Sequence, residues 1–169
     1  VLLLAGGGAA AWYFTSDGYN CKKNLKQAEE AFAAGELGDA KDYYEAVLEY
    51  DETQKDIYLK LADISIQEGK YESAIKTLKK GIKNTEDVEG AKEELTTKLE
   101  AAYITAVDDK VKAASYKEAL TMLDEAIAAV NTPALVQKKK DIYMNQVTDM
   151  MEQQNYWDAL DIAHKGFDA

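Results

Sequence analysis

The sequence predicts an all-α fold of about four tandem helix–turn–helix repeats, preceded by an apolar N-terminal segment. Two observations carry that prediction. First, one phrase returns four times: GELGDAKDYYEAVL at 35–48, GKYESAIKTLKKGI at 69–82, ASYKEALTMLDEAI at 114–127 and QNYWDALDIAHKGF at 154–167. Second, apolar residues recur three and four positions apart, as in Tyr58, Leu61 and Ala62, which places them on one broad helical face.

Composition bounds the function. The 169 residues suit one domain or one short repeat array. All 20 basic residues are Lys, against 31 Asp and Glu, for a formal net charge of -11. Cys21, His164 and Pro133 are each the sole residue of their type. A disulfide framework needs paired Cys, and a structural zinc site usually needs three or four Cys and His ligands. Nucleic-acid and phosphate grooves favour bidentate Arg and positive charge. None of these classes fits. Disorder does not fit either, because 47% of the residues are apolar and eleven Tyr are spread along the chain.

Residues 1–14 (VLLLAGGGAAAWYF) carry no charge and end in Trp12-Tyr13-Phe14, an aromatic cluster suited to a membrane interface. As helix they would span about 21 Å, short of the roughly 30 Å hydrocarbon core. Because the chain opens on Val, the segment is read as the remaining part of a longer single-pass anchor. A cleaved signal peptide and a buried soluble helix are the competing readings. Residues 15–20 read as a polar linker. Cys21 follows Tyr19-Asn20 rather than the small residues of a lipoprotein signal, so it is read as a free thiol. Lys22, Lys23 and Lys26 argue for a cytoplasmic flank. The habit of near-N-terminal anchors to export the downstream chain argues for the extracytoplasmic side, which is the reading adopted.

The repeat phrase makes physical sense as helix-on-helix packing. A bulky residue opens each copy (Leu37, Tyr71, Tyr116, Tyr156), and a small Ala follows three later (Ala40, Ala74, Ala119, Ala159). Seven residues further stand Val47, Gly81, Ala126 and Gly166, each followed by a large apolar residue, Leu48, Ile82, Ile127 or Phe167. Small side chains let two helices approach, and large ones fill the gaps. The first two copies are 34 residues apart, Ala40 to Ala74; the later ones are 45 and 40 apart, so their first helices must be longer. Glu86 to Ala113 therefore reads as one long helix, with Leu95, Leu99, Ala102 and Ala106 on its apolar side. Pro133, after Asn131-Thr132, suits the first turn of the next.

A 34-residue helix–turn–helix unit with these positions resembles the tetratricopeptide repeat. The likeness is best over 55–88, through Tyr58, Leu61, Ala62, Gly69, Tyr71, Ala74, Leu78 and Gly81, and extends to 21–54 through Ala28, Gly35, Ala40, Tyr44 and Leu48. Glu52 and Glu86 stand where the unit commonly ends in Pro. Repeats at about 21–54, 55–88, 89–131 and 132–169 are expected, stacked as a right-handed superhelical solenoid that continues beyond Ala169. The resemblance implies a protein-interaction module.

No catalytic centre is expected. His164 has no nucleophile elbow to serve, no phosphate loop is present, and acidic pairs such as Asp108-Asp109 lack the Gly-containing loop of a calcium site. No cofactor and no metal are expected. Lys138-Lys139-Lys140 reads as a solvated face.

In this family the first helix of each pair lines the groove. By register, the groove residues would be Leu25, Glu29 and Phe32; Leu59, Asp63 and Ile66; Ile104, Asp108 and Val111; and Met144, Thr148 and Met151. They describe a ladder of carboxylates between apolar steps, suited to a peptide with Lys or Arg among apolar residues. The same apolar residues fit a core packed on the next repeat equally well. Leu25 and Glu29, then Leu59 and Asp63, occupy the sites where family members that clamp chaperone-tail carboxylates carry Lys and Asn, so that mode is not expected.

The expected function is thus a non-catalytic interaction module or assembly scaffold, tethered to a membrane, with a protein or peptide partner and no nucleic acid. An accessory domain of a larger membrane-bound enzyme or sensor, and a structural homo-oligomer, are the alternatives.

Overall fold

The computed structural model describes residues 16–167, so the apolar segment 1–14 lies outside the described residues. These residues form eight α-helices and no strand. They are α1 (Ser16–Ala34), α2 (Leu37–Tyr50), α3 (Lys55–Gln67), α4 (Tyr71–Asn84), α5 (Ala91–Lys112), α6 (Tyr116–Ala129), α7 (Pro133–Glu152) and α8 (Tyr156–Phe167). The chain divides into two compact units, one ending at Leu95 and one starting at Thr96, with the boundary inside α5.

In the first unit α1 packs on α2, α2 on α3, and α3 on α4. The small residues expected at the crossings are buried there. Ala28 and Ala31 of α1, Ala40, Tyr44 and Val47 of α2, and Ile57, Leu61 and Ile64 of α3 form one apolar cluster, joined by Cys21. Ala74 and Leu78 of α4 are fully buried. In the second unit Leu99, Ala102, Tyr103, Ala106 and Val107 of α5 are buried, as are Ala119, Leu123 and Ala126 of α6. Leu135 and Ile142 of α7 and Ala159 of α8 complete its core.

Each turn inside a pair closes in the same way. A residue with positive φ stands at Gly35 (78°), Gly69 (70°), Ala114 (55°) and Gln154 (61°). The next amide along donates back to end the first helix: Glu36 to Ala31, Lys70 to Ser65, Ser115 to Lys110 and Asn155 to Met150, at 2.8–2.9 Å. This is the Schellman closure, in which a left-handed residue frees the chain to satisfy the last helical carbonyls.

Three expectations are corrected. Residues 16–20 are not a linker but the start of α1, where Asp17 sits in the first turn, favourable at a helix N-terminus, and Gly18 and Cys21 are buried. The long helix of the third copy begins at Ala91 rather than Glu86, because Thr85 closes α4 through its hydroxyl to the Gly81 carbonyl and Gly90 turns the chain at φ 73°. Asp108 and Asp109 lie in the last turns of α5. Lys138 and Lys139 are not a solvated face: Lys138 pairs with Asp108 and Lys139 with Asp124 at 3.0 Å, which ties α7 to α5 and to α6. Pro133 does stand at the first turn of α7, where the Thr132 hydroxyl caps the helix by accepting from the Leu135 amide at 3.4 Å.

Candidate protein-binding surface

The residues expected to line a groove in the first unit come from α1 and α3. Leu25 and Phe32 of α1 are half-buried against the apolar cluster, so part of each serves the core and part remains open. Glu29, between them, is exposed, and its charge joins burial in holding the Tyr44 phenol above its ordinary pKa. Leu59, Asp63 and Ile66 of α3 are half-buried. The two stripes adjoin: the Lys60 ammonium of α3 lies 5.1 Å from the centre of the Phe32 ring of α1. That is cation–π range, so one apolar step carries a cation at its edge. The unit therefore presents four half-buried apolar side chains with the exposed Glu29 carboxylate and the Lys60 ammonium among them.

The second unit departs from a carboxylate ladder. Asp108 of α5 is already neutralised by Lys138, and the two side chains are only partly exposed. Ile104 and Val111, on the same helix, are half-buried. On α7, Met144 and Met151 are exposed, and the Thr148 hydroxyl donates back to the Met144 carbonyl at 3.0 Å. A pair such as Asp108 and Lys138 can be broken by a competing cation only at the cost of leaving the ammonium half-buried and unpaired. No pattern in the sequence announced a Lys from α7 opposite Asp108.

A further feature of the first unit lies outside that register. A cleft of about 650 Å³ is lined by Glu45, Leu48 and Glu49 of α2, Tyr58, Leu61 and Ser65 of α3, and Lys76 and Lys80 of α4. Glu45, paired with Lys41 at 3.7 Å, and Glu49 stand on one wall and Lys76 and Lys80 on the other, over a floor of buried side chains. The i, i+4 spacing of both pairs was the available signal, but the sequence could not show that the two helices face each other. In the second unit a smaller, mostly apolar hollow of about 350 Å³ lies between α7 and α8, lined by Tyr143, Met144, Val147, Ala163 and Phe167.

Chemistry other than binding finds little support in the titratable groups. His164 is exposed in the last turn of α8. No cluster of three or more His, Cys, Asp or Glu able to hold a metal ion is present among the described residues. Burial pushes the Cys21 thiol above its ordinary value, partly offset by a hydrogen bond from Gln54 at 3.8 Å.

Residues 31–96 match a family model described as tetratricopeptide repeat. That stretch runs from the later part of α1 into the first turns of α5. No curated protein matches the chain. One solved structure, described as the crystal structure of MamA protein, aligns with 89% of this chain and 92% of its own at 14% identity and a TM-score of 0.40.

Proposed function

We propose that this tetratricopeptide-repeat protein is a non-catalytic interaction module that binds a peptide or protein segment along the adjoining faces of α1 and α3. The observation that supports this reading most is the partly open apolar set of Leu25, Phe32, Leu59 and Ile66 with the exposed Glu29 carboxylate among it. Apolar side chains left half-open beside a complete core favour a segment that brings its own apolar residues. The exposed carboxylate of Glu29 favours Lys or Arg beside it. The Lys60 ammonium over Phe32 adds a preference for one acidic residue, or for a backbone carbonyl, at that edge.

The test is binding of the full chain to an array of extended peptides in which apolar residues alternate with Lys, Glu or Gln. The Lys series is expected to bind most tightly and to lose affinity as salt is raised. Glu29→Lys is expected to weaken the Lys series by about tenfold while leaving helicity and melting unchanged. Equal binding of the three series, or an unaffected Glu29→Lys chain, would sink the reading.

Tethering to a membrane, with the helical units on the extracytoplasmic side, belongs to the same proposal. It rests on the uncharged run 1–14 and its Trp-Tyr-Phe end. Among the described residues no helix is long and apolar enough to cross a membrane, so the tether would lie in the longer apolar segment to which residues 1–14 are read as belonging. Carbonate extraction of membranes from cells making the full chain, with protease protection of the helical units, checks both parts. Release by carbonate ends the tether, and digestion from the cytoplasmic side ends the orientation.

A further inference from the structure

The cleft of the first unit has two chemically unlike walls. Helix α4 carries four Lys and one acidic residue, Glu72, in a chain of net charge -11. Its cleft wall is the stripe Ser73, Lys76, Thr77 and Lys80, spaced as one helical face requires. None of these four side chains has a partner among the described residues. That sets the stripe apart. The hydroxyls of Ser65, Thr85, Thr105 and Thr121 all turn back on the carbonyl four residues earlier. Lys26, Lys41 and Lys165 each pair with an acid one turn away, whereas Lys76 does not pair with Glu72.

The opposite wall, from α2, is acidic. Its Glu45 is paired with Lys41, but the exposed Glu49 has no partner among the described residues. Half-buried Leu48 lies on the same wall, above a floor of buried Tyr58, Leu61 and Ser65. On α3 these floor residues lie on a different face from Leu59, Asp63 and Ile66, so the cleft is separate from the α1–α3 surface.

We infer that this cleft is a second docking surface, taken by a helix of a partner protein with acidic residues along one flank and Lys or Arg along the other. The ammonium and hydroxyl donors of α4 call for carboxylates, and Glu49 calls for a cation. A uniformly anionic ligand, such as nucleic acid or an anionic lipid surface, would suit α4 but meet Glu49 with like charge. A helix carries opposite signs on its two flanks without strain. It also repeats about every 5.4 Å, the pitch of both walls, so its i, i+4 side chains meet those of each wall in step. The cleft, about 650 Å³, admits an apolar ridge of that helix over Leu48.

The test is titration of the full chain with synthetic helical peptides of one composition. One has a Leu stripe with Glu on one flank and Lys on the other; in the second the same charges are mixed over both flanks. The two-signed peptide should bind, and the mixed one about tenfold more weakly. Joint Lys76→Glu and Lys80→Glu substitution should weaken the two-signed peptide by more than about tenfold, while Glu29→Lys on α1 leaves it unchanged. A peptide with Lys on both flanks should bind that double variant more tightly than the parent, which separates a lost charge contact from a damaged fold. A two-signed peptide that does not bind, binds no better than the mixed one, or ignores the α4 substitutions would overturn the inference. So would binding of duplex DNA or phosphatidylserine vesicles through the same two lysines.

Discussion

Tyr58 of α3 rests directly on Gly81 of α4: a Cβ built on Gly81 would lie 2.7 Å from the Tyr58 Cγ and 2.9 Å from its Cβ. The same contact recurs in the second unit, where a Cβ on Gly166 of α8 would lie 2.7 Å from the Cβ of Tyr143 on α7. Both pairs are separated by 23 residues in sequence. Atoms so near the backbone cannot swing away, so the helices themselves would have to part.

Gly81→Ala is accordingly expected to destabilise the chain, although Ala gains about 1 kcal/mol over Gly in a helix interior. Overpacking typically costs about 1–3 kcal/mol, and the overlap here falls at the upper end. Urea unfolding of Gly81→Ala, and of Gly81→Ala with Tyr58→Ala, measures it. The double variant should recover part of the overlap through loss of the ring, at the expense of a cavity. A single variant more stable than the parent contradicts the contact.

The four turn closures give a prediction of opposite sign. Ala114 and Gln154 hold positive φ with a Cβ, which costs about 1 kcal/mol or somewhat more per residue. Ala114→Gly should therefore stabilise the second unit by about 0.5–1 kcal/mol, and Gly69→Ala should destabilise the first by a similar amount. Thermal midpoints of the two variants should move in opposite directions.

Thr132 links two elements of the second unit, since its hydroxyl caps α7 and donates to the Glu100 carboxylate of α5 at 2.7 Å. Thr132→Ala should cost about 1 kcal/mol, while Thr132→Ser, which keeps the hydroxyl, should cost only a fraction of that. Denaturant midpoints of the two variants decide it, and equal losses would point to the methyl group instead.

Cys21 is 3% exposed and its thiol is held above its ordinary pKa, by burial first. The folded chain should react slowly with iodoacetamide at pH 8, and quickly once urea opens α1. A group raised on folding contributes stability fully below its unfolded pKa and loses it as pH rises through the folded one. The parent should thus lose stability relative to Cys21→Ala only on the alkaline side. Equal alkylation rates with and without urea would contradict the burial.

Much of the fold is written in the sequence because the repeat states the same packing problem four times. Ala40, Ala74, Ala119 and Ala159 share a register, and each is buried as a helix crossing requires. The start of α5 was harder to read, since Glu86–Glu89 differ little in composition from a first turn, and the Thr85 closure of α4 and the conformation of Gly90 set the boundary. The Schellman turns were legible where Gly marked them and silent at Ala114 and Gln154.

The sequence by itself determined the helical class, the tandem phrase, the small residues at the crossings and the scarcity of chemically reactive side chains. Those are local or periodic properties, carried by spacings of three, four and about 34 to 45 residues. Only the tertiary structure decided which charges remain available. It joined Asp108 to Lys138, set Lys60 over Phe32, and brought Glu45, Glu49, Lys76 and Lys80 to one cleft. It also left Phe167 open where Leu48, Ile82 and Ile127 of the other repeats are half-buried. The reason is physical: a helix period fixes the side on which a residue lies, but the neighbour across that side comes from another helix. The net charge of -11 is a sum, and only pairing across helices determines which part of it a partner can meet.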